Sequence, residues 1–125
     1  MKIKEVMNRA VAIDHDISVK EVAKIMSDKG IGSVVAVKGN KIVGIITESD
    51  IVKNVEKINK KISSIMARNV ITIEQDEDLD EAEILMKQNK IKRIPVIKNN
   101  ELVGIITSTD LIANSEELNE EFLFD

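Results

Sequence analysis

One pattern, written twice, limits what this chain can fold into. Residues 44–50 read GIITESD, and residues 104–110, 60 positions later, read GIITSTD. Apolar pairs flank both copies: Ile42-Val43 and Leu102-Val103 precede them, and Ile51-Val52 and Leu111-Ile112 follow. A sequence that repeats itself at a fixed period implies like structural units. The chain has 125 residues, so each unit has about 60, a size at which a lone domain is marginal. The two halves are therefore expected to share one core.

Within each copy the residue types prescribe a strand running into a helix. Val43 to Ile46 is a dense, β-branched apolar run, as in a strand buried on both faces. Gly44 interrupts it, and a glycine inside a strand marks a bulge or a close backbone approach. Thr47 then opens a helix with Asp50 three residues on, and Thr107 and Asp110 repeat the spacing. Two readings of this junction compete. In one it is a capping box, with the Asp side chain reaching back to the Thr backbone N–H. In the other the same geometry holds a ligand. The unpaired N–H groups of a helix start attract an anion, the Thr hydroxyl binds phosphate, and the carboxylate takes a sugar diol. A capping box prefers Glu or Gln at its third position, whereas both copies keep Asp and vary the two residues before it. That difference favours the ligand reading.

The surrounding elements repeat with the strip. Val11 to Ile13 predicts a short strand and Asp14-His15-Asp16 a polar turn. Ser18 to Glu21 is a capping box that opens a helix, with Val19, Val22, Ala23 and Met26 at helical spacing and Gly30 and Gly32 after it. Val34 to Val37 and Ile42 to Ile46 form a hairpin about Gly39-Asn40, and a helix follows from Glu48 to Val55. A polar, Lys-rich linker spans residues 56–61. Ile62 to Met66 then echoes Ile3 to Met7, and the programme runs again. Its parts are a strand at Val70 to Ile73, a capping box at Asp78 to Glu81 and a helix face of Leu79, Ala82, Leu85 and Met86. Strands at Ile94 to Ile97 and Leu102 to Ile106 follow, about Asn99-Asn100. Each half reads β-α-β-β-α. The expected fold is α+β, two such units related by a pseudo-two-fold axis and packed sheet to sheet. The expected division is 1–58, with a short N-terminal lead segment, then 59–113, then an acidic helical tail at 114–125. That tail carries Leu118 and Leu123 and both aromatic residues, Phe122 and Phe124. It reads as a helix packed on its own domain or a partner, or as a docking peptide.

Composition removes several function classes. Without Trp or Tyr there are no aromatic platforms for stacking bases. A net charge of -4 with no evident basic face argues against general nucleic-acid binding. The absence of cysteine excludes disulfides, thiolate metal sites and a cysteine nucleophile, and it fits a cytoplasmic protein. His15, between Asp14 and Asp16, offers a metal one tripeptide, which does not complete a site. There is no Ser–His pairing and no glycine-rich phosphate loop, so no catalysis and no required cofactor are expected. No apolar run approaches the roughly 18 residues of a membrane span.

These residues resemble a known family. Two tandem β-α-β-β-α units, each ending in G-h-h-T-x-x-D, look like a stand-alone pair of CBS (cystathionine β-synthase) motifs, a Bateman module, from about Ile3 to Ala113. Met7 and Met66 before the first strands, and Ile94-Pro95-Val96, match the family pattern. The resemblance implies a regulatory module that binds AMP, ADP, ATP or S-adenosylmethionine in clefts between the motifs. Asp50 and Asp110 would hold ribose hydroxyls, Thr47 and Thr107 would contact ribose or phosphate, and Lys92 and Arg93 would meet phosphates. Ala82 would give the base room. Read without the resemblance, Lys92 and Arg93 are equally a solvated basic patch. The first half departs from the pattern, with Val34-Val35-Ala36 for h-P-V, Gly32-Ser33 for Lys92-Arg93 and Val22 for Ala82. One good nucleotide site and one weak or empty one follow. A homodimer is implied through helix faces, with Val22, Ala23, Met26, Leu85 and Met86 as candidates, and a protein partner would read the ligand-dependent change. The alternatives are a structural or dimerisation scaffold with empty clefts, or a nucleic-acid-binding protein using Lys87 to Lys98.

Overall fold

The computed structural model describes residues 1–114. The expected helix with Leu118, Phe122, Leu123 and Phe124 lies outside the described residues. In chain order the elements are α1 (Ile3–Val6), β1 (Ala12–Ile13), α2 (Val19–Lys29), β2 (Ser33–Lys38), β3 (Lys41–Thr47) and α3 (Glu48–Lys53). Two short 3₁₀ turns follow, Val55–Lys57 and Ile62–Ser64. The second half supplies β4 (Ile73–Glu74), α4 (Leu79–Asn89), β5 (Arg93–Lys98), β6 (Glu101–Thr107) and α5 (Ser108–Asn114). The fold is α+β, with two three-stranded sheets ordered β1-β2-β3 and β4-β5-β6. In each the first strand pairs parallel to the second, and the second and third form an antiparallel hairpin.

The compact units are cut differently from the sequence repeats. The first unit is Ala10–Val70, and the second joins Met1–Arg9 to the chain from Ile71 onward. The lead segment of each repeat is therefore used by the other unit. Ile3 is fully buried among Ile73, Leu79, Ile94 and Ile106. Its N–H donates to the Glu77 carbonyl at 2.8 Å, and Lys4 N–H donates to Gln75 at 2.9 Å. In the first unit Ile62 takes the matching place, buried with Val19, Val34 and Ile46, and its N–H donates to Ile17 at 2.9 Å. Each unit thus has a hydrophobic cluster of its own, completed by a short borrowed segment that brings one large Ile. Two exposed ion pairs also tether the lead segment, Lys2 to Asp78 at 3.3 Å and Lys4 to Asp76 at 2.9 Å. The hydrogen bond and charge of Lys4 hold the Asp76 carboxyl below its ordinary range. Pairs this exposed contribute little to stability, so the apolar plug carries most of the docking.

Local chemistry explains where the two halves part. Ser18 forms its capping box with Glu21 as expected. Asp78 makes no capping bond; its Oδ1 lies 3.3 Å from Lys2 Nζ. Helix α2 ends on Gly30 at φ +62°, and α4 ends on Lys90 at φ +53°, where a side chain costs about 1 kcal/mol or more. The β5–β6 turn has positive φ at both Asn99 and Asn100, the pattern of a type I′ hairpin.

Both strips carry a bulge. Ala36 faces Gly44, but Val37 already faces Ile42, so Val43 is left over; Val103 is left over in the same way. Val43 and Val103 are 38% and 39% exposed. Strands β3 and β6 are therefore not buried on both faces, contrary to the reading of an unbroken apolar run. The bulge turns one residue of the run outward.

Candidate functional site

Each hairpin ends in a Thr that caps the following helix. In the first unit Asp50 Oδ2 accepts from Thr47 N–H at 2.9 Å and from the Thr47 hydroxyl at 3.0 Å. Asp50 N–H donates in turn to Thr47 Oγ1 at 3.3 Å. The second unit repeats this more tightly: Asp110 Oδ2 accepts from Thr107 N–H and hydroxyl, both at 2.8 Å, and Asp110 N–H donates to Thr107 Oγ1 at 3.2 Å. The capping reading is thus correct as local structure. It does not exclude the ligand reading, because one carboxylate oxygen does all the capping. Among the described residues no chain donor reaches Oδ1 of Asp50 or Asp110. A half-buried carboxylate with one oxygen fixed and the other open is a ready acceptor for hydroxyl groups.

The close approach expected at the strip glycines is present. The backbone of Ala67 exchanges two hydrogen bonds with Ile45, at 2.9 and 3.0 Å, and Asn8 exchanges two with Ile105, both 2.9 Å. These bridges press Met66 onto Gly44 and Met7 onto Gly104. A Cβ on Gly44 would stand 2.6 Å from Met66 Sδ, and one on Gly104 would stand 2.7 Å from Met7 Sδ. The Met recognised ahead of each first strand is therefore the lid over the strip glycine.

Strand pairing brings the basic residues to the second strip. Arg93 is directly opposite Thr107 in the β5–β6 ladder, and Ser108 N–H donates to the Lys92 carbonyl at 2.8 Å. Arg93 is half-buried and Lys92 exposed. In the first unit Ser33, 8% exposed, faces Thr47, and Gly32 takes the bond from Glu48 at 3.1 Å. No cation stands at those two positions. Ala82 is fully buried in the core of its unit, in one cluster with Leu79, Met86, Ile106 and Leu111. Val22 is likewise fully buried.

One residue at the strip was not foreseen. Asn8 Nδ2 donates to Asp110 Oδ2 at 2.7 Å across 102 positions of sequence. Its counterpart Ala67 has nothing to donate. The available signal was the mismatch of Asn8 and Ala67 after the matched Met7 and Met66. The Asp14-His15-Asp16 turn is spent locally: His15 pairs with Asp14, and Asp16 accepts from Ser63 N–H at 3.0 Å and hydroxyl at 2.6 Å. Those two donors hold the Asp16 carboxyl below its ordinary range. Among the described residues no group of three or more His, Cys, Asp or Glu could hold a metal ion, and no helix is long and apolar enough to cross a membrane.

Comparison with known proteins bears on this geometry. A family model described as CBS domain matches residues 3–57 and again 62–117. The chain is 38% identical over 101 residues to the uncharacterized protein MJ1232 of Methanocaldococcus jannaschii, covering 80% of this chain and 34% of that protein. It is 38% identical over 112 residues to the L-aspartate semialdehyde sulfurtransferase of the same organism, covering 87% of this chain and 22% of that enzyme. The chain thus spans about a third or less of the length of these two relatives. Among solved structures it is similar to the CBS domain pair of protein MJ0100 in complex with 5′-methylthioadenosine and S-adenosyl-L-methionine. There the TM-score is 0.85 at 35% identity, covering 90% of this chain and 94% of that one.

Proposed function

The chain belongs to the CBS domain family, and from that premise we propose that it is a ligand-sensing regulatory module for adenosine-containing small molecules, without catalysis of its own. The observation that carries the reading is the twice-built strip, in which Thr47 or Thr107 fixes one oxygen of Asp50 or Asp110 and leaves the other free for ribose hydroxyls. The similar MJ0100 pair, solved with 5′-methylthioadenosine and S-adenosyl-L-methionine, supports the adenosine class. Arg93 and Lys92 beside Thr107 and Ser108 favour a phosphate on the ligand of the second strip, since a guanidinium takes phosphate in two parallel bonds. AMP, ADP and ATP therefore join S-adenosylmethionine as candidates. The ligand lies in the cytoplasm on this reading, and a protein partner reads its binding. Thermal melts with each candidate test the proposal. A ligand of the folded state at a hundredfold excess over Kd adds about 2.7 kcal/mol. No shift with any of them at millimolar concentration would return the chain to the scaffold reading, in which the capping boxes are all the strips are for.

The same reading includes a homodimer. Val22, Met26 and Met86 are spent in the cores of their units, so they do not form its face. A better candidate is the groove between α2 and α3, a cavity of about 570 Å³ lined by Ala23, Ile31, Ile51 and Val52 among others. Val52 is 74% and nearby Val55 62% exposed. Burying an apolar side chain of this size contributes about 1.5–3 kcal/mol. Val52→Glu is expected to weaken self-association at least tenfold while leaving the protomer folded, as read by sedimentation equilibrium beside a melt.

A further inference from the structure

We infer that Asn8 is a positioning residue that tightens the second strip, beside the contribution of Lys92 and Arg93; the inference rests on the ligand-sensing reading above and names a further residue that sets the affinity of that site. The two strips share one frame and differ in two parts: Lys92-Arg93 against Gly32-Ser33, and Asn8 against Ala67. Each has a Thr–Asp capping box, a glycine under a Met, and a two-way backbone bridge to the residue after that Met. At Asn8 the bridged residue carries an amide, and at Ala67 it carries a methyl group. The bridge to Ile105 fixes the Asn8 backbone two residues before Thr107, so its side chain starts from a rigid place. From there Nδ2 reaches Asp110 Oδ2 at 2.7 Å.

The consequence is specific to the carboxylate. Asp110 Oδ2 accepts three donors, from Thr107 N–H, the Thr107 hydroxyl and Asn8, whereas Asp50 Oδ2 accepts two. Both Thr donors come from one side, through a single residue. Asn8 comes from a different segment of chain and closes the arrangement, so the carboxylate keeps one plane and Oδ1 keeps one direction. A hydrogen bond to an ionised group is among the stronger ones, and an acceptor held in its bound orientation loses less freedom on binding. Oδ2 already has more donors than lone pairs. The hydroxyls of the ligand therefore meet Oδ1, and Asn8 does not stand in their place.

Titration calorimetry of the full chain with AMP tests this, using Asn8→Ala, Ala67→Asn and the double exchange. Asn8→Ala is expected to weaken the tighter constant three- to tenfold. Ala67→Asn is expected to tighten the weaker one by a similar factor, a gain that a merely structural role of Asn8 would not produce. The double variant should narrow the gap between the two affinities, leaving the part that Lys92 and Arg93 set at the second strip. Ligand-free melts show whether each variant is folded. Constants unchanged by Asn8→Ala, a tighter constant on removing Asn8, or no gain from Ala67→Asn would each overturn the inference alone. Absence of AMP binding by the unmodified chain would overturn the functional reading, and this inference with it.

Discussion

Asp110→Ala is expected to abolish most of the stabilisation that a phosphorylated adenosine ligand confers, and to lower the ligand-free melting point as well. The two losses have different sources. Without ligand, the substitution removes the side chain that closes the capping box of α5 and accepts from Asn8. Losing a cap costs about 1 kcal/mol. With ligand at a hundredfold excess over Kd, a further 2.7 kcal/mol or so is at stake. The second loss is the larger and is diagnostic, because a capping residue with no ligand has no such increment to lose. Asp50→Ala should lower the ligand-free melt by a similar cap term but remove a smaller part of the increment, since the first strip has Gly32-Ser33 in place of Lys92-Arg93. The double variant should show none. Melts of the three variants with and without AMP separate these terms. An increment that survives in the double variant would place the ligand elsewhere.

Features set within a few positions of the chain are legible in the sequence, and those that depend on parts exchanged between the halves are not. The hairpins, the Ser18 capping box and the Thr–Asp junctions were legible because each is set by residues within a few positions of one another. The bulges were half legible. Gly44 and Gly104 announced them, but only the ladder shows that Val43 and Val103 are the residues turned out. The lead segments could not be placed. A periodicity of 60 says that Ile3 and Ile62 play the same part, and nothing about which unit each one plugs. That depends on where a short polar connection lets the chain run. Two contacts fall in this one gap: Lys2 lies against Asp78, and Asn8 reaches Asp110 across 102 positions of sequence. Ala82 shows another limit. Helical spacing puts a residue on a face, but small size suits a tight core as well as a ligand wall; in the structure Ala82 is fully buried in the cluster.

Gly104→Val should destabilise the second unit by about 2–3 kcal/mol, the upper range for overpacking a well-filled site, and lower the melting point by roughly 10 °C. The cause is space. An added Cβ would stand 2.7 Å from Met7 Sδ and 2.9 Å from the Asn8 carbonyl oxygen. The sulfur can swing away on a flexible chain. The carbonyl cannot, because it accepts the Ile105 N–H at 2.9 Å, and moving it breaks the bridge. Gly44→Val meets the same sulfur contact but a carbonyl at 3.1 Å, so its cost should be smaller. Double-mutant cycles isolate the two contributions. Met66→Ala should relieve much of the penalty at Gly44, whereas Met7→Ala should relieve less at Gly104. A further effect follows at the site, because the displaced carbonyl belongs to Asn8. Pushing it off Ile105 also draws the amide from Asp110, so Gly104→Val should weaken AMP binding at the second strip at least as much as Asn8→Ala does. A Gly104→Val chain that melts and binds like the unmodified one would mean that the lead segment is not pressed on the strip, and that the glycine repeats for some other reason.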